Sequence, residues 1–597
     1  MRYFFLVFFS AYCNLATAQN EDHQWIFNET RIDDVSDWPD LGASVLDFNS
    51  LPPRAYRDAA ITLDMDGTQA IYCGSDGILE MYTNGQSIHG RNHQPLINGD
   101  TINFTPKWDW LTWENEHGEV KPSGFRIAQG ASIIHIPETE DNYLLLYANY
   151  EKSDSNDRRH ELWSGRVERN DDGLLELVYK DSLIMDRMYA RGKLTACKHG
   201  NGRDWWLHVF DADTVYTYIV DPDGMQLSHT QILPVTLNQS LGQAKYSPDG
   251  SKFAIYSVFV RNTKNWSELF ISDFDRCTGY FSKIKYEASD DDAAELGQLG
   301  NGMEFSPNGR YIYTNSSSTI YQYDLEGNDV FDTQTVIAER GEEKCDLFEN
   351  RTLFFGQMQL GHDNKIYVGQ GTQCSHIHVI HSPNVRGPDC DFQLNGVPIP
   401  TYHWATIPNV NTYRLGPLDG SDCDTLGIDN HPVSRFWYEQ DSSDFLTAQF
   451  WDVSYFRPEE WHWDFGDGNT FMDRHPVHSY ANKGIYEVCL TVSNENSSNT
   501  SCQTLNIGTT STSHNHINID FSVFPNPTEG LIRCHLKDYL PESGKINIYN
   551  SAGQIVMIED VRVGAKTIDV SHLDSGTYIY QVLDGTEILK TGKIIKF

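Results

Sequence analysis

Beyond its first fifteen residues the chain has no apolar run near the ~20 residues that a membrane-spanning helix needs, so no internal helix is expected to anchor it in a bilayer. Basic residues are scarce: 45 Lys and Arg stand against 83 Asp and Glu, a net charge of −38. Such a field repels a phosphate backbone, which excludes nucleic acid as an expected partner. Helix signals are few, and catalytic signatures are missing. The sequence holds no Gly-x-Ser-x-Gly elbow, no His-Glu-x-x-His, no Walker loop and no paired-cysteine knuckle. An enzyme is therefore less expected than a binding protein, although propeller-type sites that draw one residue from each repeat leave no linear motif.

What is present is β-structure. The chain is 39% hydrophobic and 12% aromatic, enough for real cores, and its 597 residues imply several domains. Runs rich in β-branched and aromatic residues alternate with Gly, Pro, Asn and Asp punctuation from end to end. At the N-terminus, Met1 and Arg2 precede an apolar segment that reaches Leu15, and Ala16-Thr17-Ala18 follows. Residues 1–18 thus read as a signal peptide cleaved after Ala18. Tyr12 ahead of Cys13 does not fit a lipobox. The remaining ten cysteines would meet an oxidising compartment.

Over residues 24–415 the chain repeats itself. Tyr246-Ser247-Pro248-Asp249-Gly250 recurs as Phe305-Ser306-Pro307-Asn308-Gly309, with the two glycines 59 residues apart. Each copy is a strand, a Pro-Asp-Gly or Pro-Asn-Gly turn and a second strand, with a third strand beyond. About 390 residues at this period accommodate six or seven repeats, which predicts a β-propeller. Trp25, Asp76-Gly77, Asn92-His93, Gln129-Gly130, His199 through Trp206, His376, His378 and Ile407-Pro408-Asn409 resemble propellers at the N-termini of secreted and gliding-motility-associated proteins. That family implies a fold and no common activity. If the propeller closes, the strands near Tyr413 are expected to pair near the N-terminus, with Trp25–Phe27 or with the repeat starting near Ala59.

Several clusters invite a site reading. Cys374, His376 and His378 share a strand face as a possible soft-metal trio, though an ordinary blade strand is expected. Ser289, Asp290, Asp291, Asp292 and Glu295 lack the Asp-x-Asp-x-Asp-Gly order of a Ca²⁺ loop and read as solvated. No cofactor is expected, with Ca²⁺ the one ion worth considering. Trp205 and Trp206 are candidates for a flat aromatic binding face.

Residues 416–432, rich in Gly, Pro and Asp, read as a linker. Residues 433–508 form a second module whose Trp463-Asp464-Phe465-Gly466-Asp467-Gly468 stretch resembles the signature of a polycystic-kidney-disease-type (PKD) β-sandwich. Trp463 and Phe465 share one strand face with a core partner in Val488, Leu490 and Val492, while Asp464 and Asp467 cap their own turns. The same alternation turns Cys489 and Cys502 outward on adjacent strands, which predicts a disulfide. Cys73, Cys197, Cys277, Cys345, Cys374, Cys390, Cys423 and Cys534 have no assignable partners.

Residues 509–520 form a polar linker, and residues 521–597 a small β-sandwich. Its Pro525-Asn526-Pro527 opening, Gly553 turn, Gly576 and Tyr578 strand, and Lys593 close to the end resemble the type A C-terminal sorting domain of the type IX secretion system. The resemblance implies contact with that machinery, processing near the second linker, and delivery to the extracellular or outer-membrane surface of a Gram-negative bacterium. The whole reads as all-β, a six- or seven-bladed propeller followed by two small β-sandwiches. The propeller is expected to bind a glycan or protein; the alternative is an extracellular hydrolase or lyase acting on polysaccharide or protein at the propeller mouth.

Overall fold

The repeat seen twice in the sequence builds the same corner twice. In one copy Gly250 donates to Ser247 O (2.8 Å), and the Ser247 hydroxyl binds both Asp249 and the Lys252 amide. In the other, Gly309 donates to Ser306 O (2.8 Å), and the Ser306 hydroxyl binds Asn308 and the Tyr311 amide. Gly250 and Gly309 sit at φ +70° and +68°, a left-handed conformation that glycine adopts without steric cost.

The computed structural model describes residues 20–596 apart from 29–41, 66, 104–111, 115–119, 123, 125–126, 151–159, 189–191, 239–240, 262–263, 291–301, 342–351, 372–373, 404–406, 442, 509–520, 525–527, 529, 537–543, 551–554, 562–563, 574 and 585–586. The Ala18 cleavage site, Asp291, Asp292 and Glu295, the second linker, Pro525, Asn526, Pro527 and Gly553 lie outside the described residues.

Seven antiparallel sheets follow one another. The first holds Gln24–Phe27, Ala43–Asp47 and Arg54–Asp58, and the second Ala70–Cys73, Leu79–Thr83 and Ile88–Gly90. A small hairpin of Thr112–Glu114 and Val120–Pro122 precedes the third sheet, Ala131–His135 to Leu175–Met188. The fourth runs from Ala196–Lys198 to Gly224–Ile232, and the fifth from Leu241–Tyr246 to Phe281–Asp290. The sixth runs from Met303–Phe305 to Thr335–Glu339, and the seventh from Phe355–Leu360 to Phe392–His403.

Each sheet buries its faces against its neighbours, and the chain of shared cores returns to its start. The second, third and fourth sheets share one core, the fourth and fifth another, the fifth and sixth a third, and the sixth and seventh a fourth. The seventh, first and second share Trp25, Phe48, Ile71, Tyr82, Tyr367 and Ile377. A ring of seven blades is the result.

Closure meets the expectation only in part: the segment near Tyr413 reaches the repeat starting near Ala59 through a single bridge, Asn409 to Ala70, and not through a full strand. The seventh blade meets the first through side chains, with Trp25 5.6 Å and Phe48 5.7 Å from the Tyr367 ring and Ser44 Oγ 2.7 Å from Thr401 Oγ1. Among the described residues no strand is shared between blades: the first two hold three strands each and the other five hold four. The segment near Tyr413 instead threads the axis: Asn409 bridges Ala70 and Thr412 bridges Cys197, both in parallel. Asn409 Nδ2 donates to Ala131 O (2.8 Å) and Leu194 O (2.7 Å), and Asn411 Nδ2 to Ile133 O (2.9 Å). Buried amides in the channel lining need partners, and the asparagines supply them.

Two sandwiches follow. In the first, strands Phe436–Gln440, Thr447–Asp452 and Val477–Ser479 face strands Thr470–Phe471, Glu460–Asp464, Gly484–Ser493 and Ser498–Ile507. Trp463, Phe465, Val488, Leu490 and Val492 are fully buried between them, with Tyr486 packed at the edge. Cys489 lies opposite Cys502, and the two are bonded. In the second, Phe521–Phe524, Leu531–Leu536 and Gly564–Asp569 oppose Ile555–Asp560, Gly544–Tyr549, Gly576–Asp584 and Glu587–Lys596.

Candidate functional site

Two places in the propeller gather polar side chains. One is the mouth of the channel on the side where residues 414–435 emerge. A cavity of about 90 Å³ there is lined by Asp22, Lys245, Tyr246, Glu304, Gln359 and Arg414 among others. Its charges answer one another. Lys245 Nζ is 3.3 Å from Glu304, with both side chains almost fully buried, and also binds the Gln359 side chain. Asp22 lies 2.7 Å from His362 Nε2 and 3.1 Å from Arg414 Nη2. Burial alone would raise the Asp22 carboxyl, but His362 and Arg414 hold it well below the ordinary carboxylate range. Burial pushes His362 down, so the ring is neutral, and Arg414 supplies the positive charge. Acidic and histidine side chains do converge here, in a space that holds only a few waters. Beside it, burial pushes the Glu21 carboxyl up and the Lys198 ammonium down.

The other place is larger. Between the first and second blades a groove of about 450 Å³ is lined by Gln24, Asp47, Asn49, Tyr56, Asp58, Asp76, Ile78, Arg91 and His93 among others. Asp47, Tyr56 and Asp58 come from adjoining strands of the first blade, and Asp76, Arg91 and His93 from turns of the second. The two edges face each other because Trp25 and Ile71 lie in one core beneath them. Asp58 Oδ2 is 3.4 Å from His93 Nε2, whose hydrogen bond holds the Asp58 carboxyl below its usual range. Asp76 pairs with Arg91 at 2.8 Å and is lowered for the same reason. Tyr56 accepts from Gln24 Nε2 at 3.2 Å, and burial pushes its phenol up to about 12. Ile78 is 45% exposed, so apolar surface stands beside the polar groups.

The sequence-derived candidates fare unevenly. Trp205 and Trp206 form no exposed face: they are 2% and 4% exposed, since each packs into a core between blades. Trp205 stacks edge-on against Tyr413 of the channel segment, and the Trp206 indole donates to Arg276 O. Cys374 is disulfide-bonded, which removes the thiolate a soft-metal trio would need, and His378 is fully buried. Among the described residues no cluster of three or more His, Cys, Asp or Glu is arranged to hold a metal ion. In the middle module Asp464 accepts from the Gly466 amide (2.9 Å) and Asp467 from the Asn469 amide (3.0 Å), and Gly466 and Gly468 both have positive φ. Asp467 also binds His478 Nε2 at 2.9 Å. In the last module Gly576 and Tyr578 share one strand, and Lys593 on the next pairs with Ile579.

The groove itself left little linear trace. Its residues come from five separate stretches, of which only Asp76-Gly77 and Asn92-His93 stood out in the sequence. His93 at φ +60° is the one local irregularity that marks it.

Comparison with known proteins agrees at the C-terminal end. The PKD domain model matches residues 440–508, and the model of the secretion system C-terminal sorting domain matches residues 522–596. The PKD1 domain of the Vibrio cholerae metalloprotease PrtV is 32% identical over 13% of this chain and 98% of its own, with TM-score 0.12. The PKD1 domain of Vibrio anguillarum Epp is 28% identical over 13% and 95%, with TM-score 0.13. A putative 6-phosphogluconolactonase from Bacteroides uniformis is 12% identical over 64% of this chain and 98% of its own, with TM-score 0.37. These TM-scores are low, and the propeller rests on the sheet order and shared cores described above. No curated protein matches the chain. The sorting domain marks export to the extracellular or outer-membrane surface. The chain is thus a cargo protein of the type IX secretion system, in which a β-propeller head precedes a PKD domain and a C-terminal sorting domain.

Proposed function

We propose that the protein is a surface-exposed binding protein whose propeller head holds a glycan in the groove between its first two blades. The observation that carries this reading is the groove itself. It is about five times the volume of the mouth cavity, at about 450 Å³ against about 90 Å³, and offers acceptors beside an aromatic ring. Carboxylates accept hydrogen bonds from neighbouring hydroxyls, and a phenol ring beside them gives a sugar an apolar face to rest on. At the mouth, Asp22 and Glu304 are buried against Arg414 and Lys245 in a cavity of about 90 Å³, too small for a sugar ring and its hydroxyls.

The test is a glycan array probed with the secreted protein, alongside Tyr56→Ala and Asp58→Asn variants. Binding lost in both variants, with unchanged thermal unfolding, supports the groove. Binding unaffected by either removes it. A protein ligand in the same groove would appear as array silence with capture on immobilised surface proteins that Tyr56→Ala abolishes. The hydrolase reading has one feature in its favour, the buried Glu21 next to Asp22 of the mouth, a carboxyl that burial raises above its ordinary range, the direction a general acid needs. Release of reducing ends from a bound glycan, lost in Glu21→Gln, would favour it.

A further inference from the structure

Residues 416–432 read as a linker in the sequence, yet they are gripped from both sides. On the propeller side Arg276 Nη2 donates to Gly416 O (2.6 Å), and the Leu418 amide to Gly200 O (2.8 Å). Pro417 packs on Gly202 so closely that a Cβ there would come within 2.7 Å, and Cys423 is bonded to Cys277 of the fifth blade. From the PKD side Arg457 reaches Asp419 (3.2 Å), Asn494 Nδ2 donates to Asn430 O (2.9 Å), and His431 contacts Ser497 Oγ (2.9 Å). A flexible spacer would show few such contacts.

Beyond this strap the PKD domain touches the propeller directly. Lys365 Nζ lies 4.5 Å from the ring centre of Trp437, which stacks on Trp451 at 4.1 Å. Arg435, at the entry to the PKD domain, donates to Phe48 O and, at 2.8 Å, to His23 Nε2. His23 is neutral, since burial and the facing guanidinium lower it to about 4. Its Nε2 therefore accepts, which leaves the proton on Nδ1 to be donated to Asn49 Oδ1 at 2.9 Å. Asn49 Nδ2 in turn donates to Asp47 Oδ1 and to Gly77 O, both at 2.8 Å. The donors run one way, from Arg435 through His23 and Asn49 to the two edges of the groove. Gly77 has no room for a side chain in this arrangement, because a Cβ would lie 2.0 Å from Asn49 Oδ1.

We infer that the PKD domain is a working part of the binding head: the strap clamps it to the propeller, and Arg435 acts through His23 and Asn49 as a positioning residue for the groove. The inference rests on the groove reading for its functional meaning, but the coupling stands on its own contacts. If the groove binds nothing, the PKD domain still fixes the Asp47–Asn49 turn.

The test is hydrogen exchange followed by mass spectrometry on the full secreted chain, with no ligand present. Arg435→Ala should speed exchange of the Phe48 and Asn49 amides at least tenfold and leave the Ser498–Ile507 strand unchanged. Arg435→Lys, which keeps one donor, should fall between. The Cys277→Ser/Cys423→Ser pair should make residues 416–423 cleavable by a protease that spares the wild type. Unchanged exchange at residues 48–49 in both Arg435 variants would overturn the positioning role. Equal cleavage before and after removal of the disulfide would overturn the clamp. Glycan arrays repeated with Arg435→Lys then separate the two readings: wild-type binding with weaker variant binding supports both, and wild-type silence with altered exchange discards only the glycan reading.

Discussion

Acid should unfold the propeller through histidines that are buried without charge, and His208 is the one to isolate. It stands on strand Trp205–Asp211 of the fourth blade, 1% exposed, with its ring 4.7 Å from Phe281 and 5.2 Å from Phe274 of the fifth. Nε2 donates to Gly279 O at 3.2 Å and Nδ1 faces the Tyr246 hydroxyl, so the neutral ring is satisfied. Burial lowers its pKa from 6.5 to about 3. A base whose folded pKa is depressed binds its proton more readily when unfolded, so its contribution is intact above pH 6.5 and is lost as pH falls towards 3. Each unit in that window is worth ~1.4 kcal/mol, giving ~2.5 kcal/mol between pH 7 and pH 4.5 from this residue alone. His208→Gln should cost ~1–2 kcal/mol at pH 7, where it disturbs two buried hydrogen bonds. At pH 4.5 the deficit should vanish or reverse. Urea midpoints followed by tryptophan fluorescence at pH 7, 5.5 and 4.5, at one ionic strength, measure the two profiles. Parallel profiles would show that His208 carries no linked proton and refute the reasoning.

Other expectations follow from single contacts. Cys489→Ser should lower PKD stability by ~3 kcal/mol through the freed unfolded chain, seen as an earlier calorimetric transition in the full-length protein. Asn409→Ala removes the side-chain donor to Ala131 O and Leu194 O and one of the two acceptors of Gln129 Nε2, so the propeller should lose ~2–4 kcal/mol; an unchanged melting temperature would mean that the channel segment is not structural. Deleting residues 521–597 should leave the protein in the periplasm, and protease shaving of intact cells checks this by finding no surface protein.

How much was readable from sequence depended on whether the cause was local. The Ser-Pro-Asp-Gly and Ser-Pro-Asn-Gly corners were readable because the turn chemistry sits within five residues. Strand parity placed Cys489 and Cys502 on the outer side of neighbouring strands, where a short hairpin makes them partners. Cys277 and Cys423 are 146 residues apart, and nothing local announces their bond. Trp205 and Trp206 misled because adjacent aromatics on a strand point to opposite faces, and in a propeller blade both faces are buried against neighbours. The groove was hidden for a related reason: it exists only where two blades meet, so Tyr56 and His93 carry meaning only after the ring has closed.

The asparagines in the channel impose an order on synthesis. Asn409 bonds to carbonyls 278 and 215 residues earlier in the chain, so the ring's axis stays unsatisfied until just over two thirds of the polypeptide exists. Contacts of that span close slowly, and the incomplete ring exposes strand edges and apolar blade faces while it waits. A chain that ends before Asn409 should therefore be the aggregation-prone form of the head, whatever the stability of the finished ring.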